Sequence, residues 1–172
     1  SNMGNNLFYQ GRYSDARKMY EEAIRLGRKD RRIWGNLADS YRYSGEHKMQ
    51  AKEVYRQAIT LSRKELLKNP KNASVHSSLG LYLSKLGQHN QALQETELAL
   101  RLEPNNLTII YNALLVFEIS GKRNRALQTL DDYIERHGAI AIFSKDPDLS
   151  KLRNDLRYKK RLGKTGKADQ NK

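Results

Sequence analysis

Residues 34–58 read WGNLADSYRYSGEHKMQAKEVYRQA, and this stretch decides the fold. One set of apolar and small residues precedes Gly45 and consists of Trp34, Leu37, Ala38 and Tyr41. A second set follows it and consists of Ala51, Tyr55 and Ala58. Steps of three and four residues place the members of each set on one face of a helix. A glycine between them supplies a left-handed cap, so the stretch predicts two antiparallel helices joined at Gly45.

The same pattern returns along the chain at a fixed interval. Three pairs of residues lie 34 positions apart, namely Gly11 and Gly45, Gly87 and Gly121, and Pro70 and Pro104. A period between 20 and 50 residues is typical of stacked structural repeats, in which each unit packs only on its neighbours. The interval therefore predicts an array of helix pairs.

One step of the array is longer than the others. The interval from Gly45 to Gly87 is 42 residues, and seven of the additional residues fall between Ala58 and Pro70. Seven residues make about two helical turns. We therefore expect the helix from about Lys48 to Lys68 to extend beyond its neighbours.

The pattern resembles the tetratricopeptide repeat family, whose unit reads W-x-x-L-G-x-x-Y, then A-x-x-x-F, then P. One unit is matched by the two sets around Gly45, and the next by Leu79, Gly80, Ala92, Ala99 and Pro104. The resemblance covers roughly residues 3–137. It implies an all-α, right-handed superhelical solenoid of about four helix pairs, with repeats at about 3–30, 31–72, 73–106 and 107–138 in an array that spans 3–146.

Both ends of the chain depart from the repeat. Counting back from Gly11 predicts a truncated leading helix from about Met3 to Gln10, and residues 1–2 resemble a scar left by tag removal, so we interpret the chain as an excised piece of a longer protein. At the other end, Asp146 and Pro147 predict a helix start. A capping helix is expected over 147–162, with an apolar stripe of Leu149, Leu152, Leu156 and Leu162. A disordered basic tail is expected over 163–172. This ending resembles the close of repeat arrays in multidomain bacterial signalling proteins.

Charge is unevenly distributed along the chain, whose net charge is +13. Residues 1–72 carry 16 basic and 8 acidic side chains, and residues 138–172 carry 10 and 4, whereas residues 73–137 are nearly neutral. Lys52, Arg56 and Arg63 fall on one stripe of the long helix. Such a stripe either binds nucleic acid or another polyanion, or only keeps the surface solvated.

Composition also limits the classes of function. The chain has no cysteine, which excludes disulfides and thiolate metal sites and favours a cytoplasmic location. No apolar run approaches the 18 residues of a membrane span. The four histidines are far apart, no P-loop or dinucleotide fingerprint occurs, and adjacent acidic pairs point in different directions on a helix. The sequence therefore predicts no catalysis, no metal and no cofactor.

The resemblance implies a binding surface, because the first helix of each pair lines a concave groove in this family. The lining residues expected here are Arg32, Asn36, Asp39, Arg42, Tyr43, Leu81, Lys85, Tyr111, Asn112, Leu115 and Ile119. Asparagine side chains both donate and accept hydrogen bonds and are suited to holding a peptide backbone. The apolar members either seat a hydrophobic anchor of a ligand or are covered by the C-terminal segment or a neighbouring subunit.

The ligand of one branch of the family is excluded by the sequence. Repeat domains that grip the acidic C-terminus of heat-shock chaperones require lysine and arginine at fixed positions of the groove. Ser74 and Ser78 stand at two of those positions, and serines cannot clamp a carboxylate as cations do. We therefore interpret the chain as a non-catalytic scaffold for a protein or peptide partner. Self-association through the first repeat and polyanion binding are the alternatives.

Overall fold

The repeat period appears directly in the order of helices. The computed structural model describes residues 2–28, 30–45 and 47–168, the side chains of Asn2, Lys48 and residues 163–168 excepted. The described residues contain no strand and form ten helices: α1 (Asn2–Tyr9), α2 (Tyr13–Arg25), α3 (Arg31–Tyr43), α4 (Lys48–Lys68), α5 (Ala73–Lys85), α6 (His89–Leu102), α7 (Leu107–Ile119), α8 (Arg123–Glu135), α9 (Ile142–Lys145) and α10 (Leu156–Ala168). Two 3₁₀ turns, Pro147–Leu149 and Leu152–Asn154, lie between α9 and α10.

The first eight helices form four pairs. Each helix from α1 to α8 packs on the next one, and α5 also packs on α7, so the first helices of the third and fourth pairs lie side by side. The predicted all-α solenoid of four helix pairs is therefore confirmed. Its core is continuous, since one cluster of buried residues joins α3 to α7 and another joins α7 and α8 to the C-terminal residues.

The turns within the pairs use the periodic glycines as predicted. All four adopt positive φ, with values of 76° at Gly11, 85° at Gly45, 80° at Gly87 and 73° at Gly121. After α5, the amide of Gly87 donates to the carbonyl of Ser84 (3.0 Å) and that of Gln88 to the carbonyl of Leu83 (3.0 Å). These bonds satisfy carbonyls at the helix end, and a left-handed residue is needed to form them.

Small residues bring the two helices of a pair together. A Cβ atom built on Gly80 would lie 2.6 Å from Thr96 Oγ1 and 3.0 Å from the carbonyl oxygen of Ala92. A side chain at this position would force α5 and α6 apart. The glycine of the repeat pattern is thus required by close packing.

Helix α4 has the bounds that the 42-residue step predicted. Its additional turns are joined to neighbouring helices, because Arg31 Nη1 lies 2.6 Å from Glu65 Oε2 and Arg31 Nη2 lies 3.3 Å from Ser74 Oγ. Arg31 is buried by these contacts. The extension therefore packs against the start of α3 and the start of α5.

The end of the chain differs from the single capping helix expected over 147–162. Asp146 does cap a turn that starts at Pro147, by accepting from the amide of Asp148 (2.8 Å). The turn does not continue into an α-helix, because Arg153 donates to the carbonyls of Phe143 (3.0 Å) and Asp146 (2.6 Å) and folds the chain back.

The apolar stripe expected at this end is also different. Leu149 and Leu152 are fully buried, but Leu156 is 79% exposed and Tyr158 takes the buried position instead. Helix α10 begins only at Leu156, after Asp155 caps it through the amide of Arg157 (2.9 Å). Its backbone continues to Ala168, within the stretch expected to be disordered. Residues 169–172, like Ser1, lie outside the described residues.

Candidate functional site

The concave face contains an open stretch across α3, α5 and α7, which we call the open half of the groove. It encloses a cavity volume of about 400 Å³. Residues of α3, α5 and α7 and their caps line it: Arg32, Asn36, Asp39, Ser74, Ser77, Ser78, Leu81, Tyr82, Asn106, Thr108, Ile109 and Asn112. Five of the residues expected from the sequence are among them, namely Arg32, Asn36, Asp39, Leu81 and Asn112.

Polar side chains of the open half connect neighbouring repeats. Asn112 Nδ2 donates to Ser77 Oγ at 3.0 Å, and Asn36 Nδ2 donates to Asn5 Oδ1 at 2.9 Å. Arg32 lies at the rim, where it is exposed and pairs with Asp30 at 2.7 Å. The open half is therefore lined by amides and hydroxyls together with the Asp39 carboxylate and apolar side chains, with one cation at its edge.

The other part of the concave face is filled by the chain itself, and we call it the closed half. Residues 139–155, the C-terminal segment, insert Asp148 between the last turns of α3 and α5. Lys85 Nζ lies 3.0 Å from Asp148 Oδ2 and also pairs with Asp39. Arg42 Nη2 lies 3.6 Å from Asp148 Oδ1, and the Tyr43 hydroxyl donates to the same oxygen. Four of the expected lining residues are thus engaged within the molecule.

The apolar patch expected to seat a ligand is covered by the C-terminal segment. Tyr111 and Leu115 are buried in one cluster with Phe143, Leu149 and Leu152, and the Tyr111 hydroxyl donates to Asp146. The alternative in which the chain covers its own patch therefore describes the structure. Tyr111 and Leu115 do not face a free groove, and Ile119 is half-buried.

Burial and charge act against each other in the closed half. Burial alone would raise the pKa of Asp148, but Lys85 and Arg42 hold this pKa below its ordinary value. For Asp146, burial and then the charge of Asp148 raise the pKa above the ordinary value. Burial would lower the pKa of Lys85, yet Asp148 and Asp39 raise it. Lys85 is therefore a charged group with a side chain only 3% exposed.

Asp146 and Asp148 occupy part of the groove, and inspection of the sequence missed them there. They were interpreted only as part of a helix start. The signal in the sequence that could have found them is their charge, together with the cations Arg42 and Lys85 near the ends of α3 and α5.

The basic stripe on α4 is exposed, which agrees both with polyanion binding and with a surface that is only solvated. Lys52, Arg56 and Arg63 all face solvent. Arg56 Nη1 lies 3.0 Å from Glu53 Oε2, which offsets part of the charge. Arg31 and Arg32 at the start of α3 are paired with Glu65 and Asp30 and add little to this charge.

Metal and membrane sites are two further possibilities for a helical array. Over the described ranges, no three histidine, aspartate or glutamate side chains come together as metal ligands would. His76 is buried, with Nδ1 2.5 Å from Glu95 and Nε2 2.9 Å from the carbonyl of Pro70. Within the same part of the chain, no helix combines the length and the apolar character that crossing a membrane requires.

Comparison with known proteins gives a consistent picture of the family. Two tetratricopeptide repeat models match residues 1–65 and 73–106. The Hsp70-Hsp90 organizing protein of Triticum aestivum is 25% identical over 152 residues, or 88% of this chain. The chain spans only 24% of the length of that protein.

Solved structures resemble the chain in fold. A thermophilic tetratricopeptide repeat protein of Thermus thermophilus has a TM-score of 0.56 and 20% identity, over 92% of this chain and 77% of that one. MamA of Desulfovibrio magneticus RS-1 has a TM-score of 0.51 and 14% identity, over 99% of this chain and 93% of that one. At these identities the likeness concerns the solenoid alone.

Proposed function

Because the chain belongs to the tetratricopeptide repeat family, we propose that it is a non-catalytic scaffold which holds an extended segment of a partner protein in the open half of its groove. One observation carries this proposal: a trough of about 400 Å³ runs across three successive first helices and is not filled by the chain itself. Asn36 and Asn112 lie in this trough on different repeats. Their amides are suited to pairing with the main chain of a bound segment.

The composition of the open half favours a segment that is not an acidic tail. The wheat relative is named an Hsp70-Hsp90 organizing protein, but we infer that this groove does not select an acidic chaperone tail. Ser74 and Ser78 occupy the positions that would need cations, and Lys85 is committed to Asp39 and Asp148. Without such cations, a carboxylate would lose its hydration and gain little in return.

The proposal is tested by selecting ligands from a random peptide library displayed on phage. The affinity of a selected peptide is then measured by fluorescence anisotropy for the protein and for Asn36→Ala and Asn112→Ala. Losing one hydrogen bond to the ligand reduces the binding free energy by up to about 1.4 kcal/mol. Each variant should therefore bind about tenfold more weakly.

Asn90→Ala is the matched control, because Asn90 is an exposed asparagine on the second helix of its pair. It should bind as the unmodified protein does. Failure to enrich any peptide, or equal affinities for all three variants, would refute binding in the open half.

A second candidate is polyanion binding by the α4 stripe, which the exposure of Lys52, Arg56 and Arg63 favours. Cations that displace counterions give an affinity that falls steeply with salt. Anisotropy with labelled duplex DNA and RNA across a salt series tests it. Binding that weakens with salt and is reduced by Arg63→Gln supports it, whereas no binding at low salt excludes it.

A further inference from the structure

A second, smaller cavity adjoins the open half of the groove. It lies between α1, α2 and α3 and has a volume of about 90 Å³. Its lining consists of Asn5, Phe8, Tyr9, Tyr20, Asn36 and Asp39. Asn36 and Asp39 line the open half as well, so the two cavities are adjacent. Since a water molecule occupies about 30 Å³ of liquid, the smaller cavity has room for the end of one long side chain.

The walls of this cavity are aromatic on one side. Phe8 packs edge-to-face on Tyr9, with ring centroids 5.6 Å apart, and on Tyr13, at 5.1 Å. These contacts hold the Phe8 and Tyr9 rings in place. Tyr9 remains 37% exposed and can be reached from solvent. The faces of such rings carry partial negative charge and attract cations.

The polar side of the cavity carries a carboxylate. Tyr55 and Lys85 both donate to Oδ1 of Asp39, so the ion pair engages one edge of the group and a ligand cation would approach the other oxygen. The Tyr20 hydroxyl and Asn36 Nδ2 both donate to Asn5 Oδ1, at 2.6 and 2.9 Å. This bonding fixes the Asn5 amide in the lining of the cavity.

More carboxylates than cations lie near the cavity. Three carboxylates, Asp39, Asp146 and Asp148, are set against two cations, Lys85 and Arg42. The Tyr9 hydroxyl responds to this balance: burial first, and then the charges of Asp146 and Asp39, raise the pKa of Tyr9 to about 12. A positive group entering the cavity would therefore be stabilised, and a negative one repelled.

We propose that this cavity is a subsite for a lysine or arginine side chain of the bound segment. The inference rests on the proposed function, since the groove delivers the ligand. Tyr9 and Phe8 would face the cation, and Asp39 would accept its hydrogen bond. With this subsite, the groove would prefer a segment with a basic side chain over an acidic one. Specificity is the difference between the affinities for these two kinds of segment.

The subsite is tested with single-residue probes and does not require a peptide ligand. N-acetyl-lysine-N-methylamide and its arginine, norleucine and glutamate counterparts are titrated against the protein, and the ring resonances of Tyr9 and Phe8 are followed by NMR. The lysine and arginine probes should shift these resonances along a saturable curve. The norleucine probe has the same stem without the charge and should not, and neither should the glutamate probe.

Substitutions of one ring separate the cation–ring contact from general packing. Tyr9→Leu should weaken the lysine probe about fivefold, whereas Tyr9→Phe keeps the ring face and should retain most of the affinity. Tyr13→Leu is the control, because Tyr13 belongs to the same aromatic cluster but does not line the cavity. Circular dichroism tests whether each variant is folded. If Tyr9→Leu is unfolded, the comparison of the four probes on the unmodified protein tests the subsite by itself.

The outcomes distinguish the subsite from the groove. Equal shifts with lysine and norleucine, or none with any probe, overturn the subsite even if library peptides still bind the open half. Peptides selected from the library should also be enriched in lysine or arginine at one position. Enrichment in glutamate or aspartate at that position would overturn the subsite while leaving the groove in place.

Discussion

The two halves of the groove are lined by the same helices, yet they have opposite characters. In the open half, Ser77 and Ser78 near the start of α5 line a trough that the chain itself does not fill. In the closed half, Lys85 at the end of the same helix is buried against Asp148, which comes from the other end of the domain. Buried charges are tolerated only when they are paired, so the closed half serves the fold. The open half is free of that requirement and can serve binding.

The largest effect is expected where the closed half loses its cation. Lys85→Ala leaves Asp148 and Asp39 without their shared partner, and removing one member of a buried ion pair typically costs about 3–5 kcal/mol. Urea unfolding should show a fall of this size in the free energy of unfolding. Lys52→Ala removes an exposed lysine and should change that free energy by less than about 0.5 kcal/mol. Similar values for the two variants would show that Asp148 does not dock as described.

The next effect concerns the apolar anchor of the C-terminal segment. Leu149 is fully buried, and truncating a buried leucine to alanine costs about 2–5 kcal/mol. Leu149→Ala should therefore lower the free energy of unfolding strongly, and Leu156→Ala, at a leucine 79% exposed, should hardly change it. The reverse order would support the apolar stripe expected from the sequence instead.

Acid should distinguish the two carboxylates of the closed half. The pKa of Asp148 is lowered, so its stabilising contribution is present above its unfolded-state pKa and is lost as the pH falls. The pKa of Asp146 is raised, so its contribution is present at low pH and is lost as the pH rises through its folded-state pKa.

The measurement is urea unfolding of the protein, Asp148→Asn and Asp146→Asn between about pH 2 and pH 7. The stability difference between the protein and Asp148→Asn should grow with pH, and that for Asp146→Asn should shrink. Each pKa unit of displacement corresponds to about 1.4 kcal/mol. Parallel curves for the two variants would mean that these carboxylates share one environment.

The smallest effect is expected in the open half. Arg32 is exposed and pairs with Asp30 two residues away, an arrangement worth about 0–1 kcal/mol. Arg32→Ala should leave the urea midpoint nearly unchanged. A loss as large as that of Lys85→Ala would remove the distinction between the two halves.

The solenoid could be predicted from the sequence because its determinants are local. Gly80 and Ala92, which allow close helix packing, and Gly87, which needs a positive φ, each act within one repeat. The periodic spacing therefore gave both the helix pairs and the length of α4. The break before Leu156 was not predictable in this way, because it depends on bonds from Arg153 to two carbonyls.

The candidate site was only partly predictable for a related reason. Asn36 and Asn112 lie on repeats and were found from the pattern, and they do line the open half. The closure of the other half joins Tyr43 to Asp148, which are 105 positions apart and outside any period. The aromatic cavity was missed because the expected groove residues were taken from the second to fourth repeats, although Tyr9 lies one period of 34 residues before Tyr43.

The length of α4 has a consequence for how such arrays change. Seven residues turn a helix through nearly two full revolutions, leaving a rotation of only about 20°. An insertion of this size therefore keeps the buried side of the helix facing inward while adding outer surface, here joined to the rest by Arg31 and Glu65. Because α4 is the second helix of its pair, an insertion of this kind enlarges the outer surface in whole-turn increments, and Arg31 connects the added turns to Ser74 in the open half.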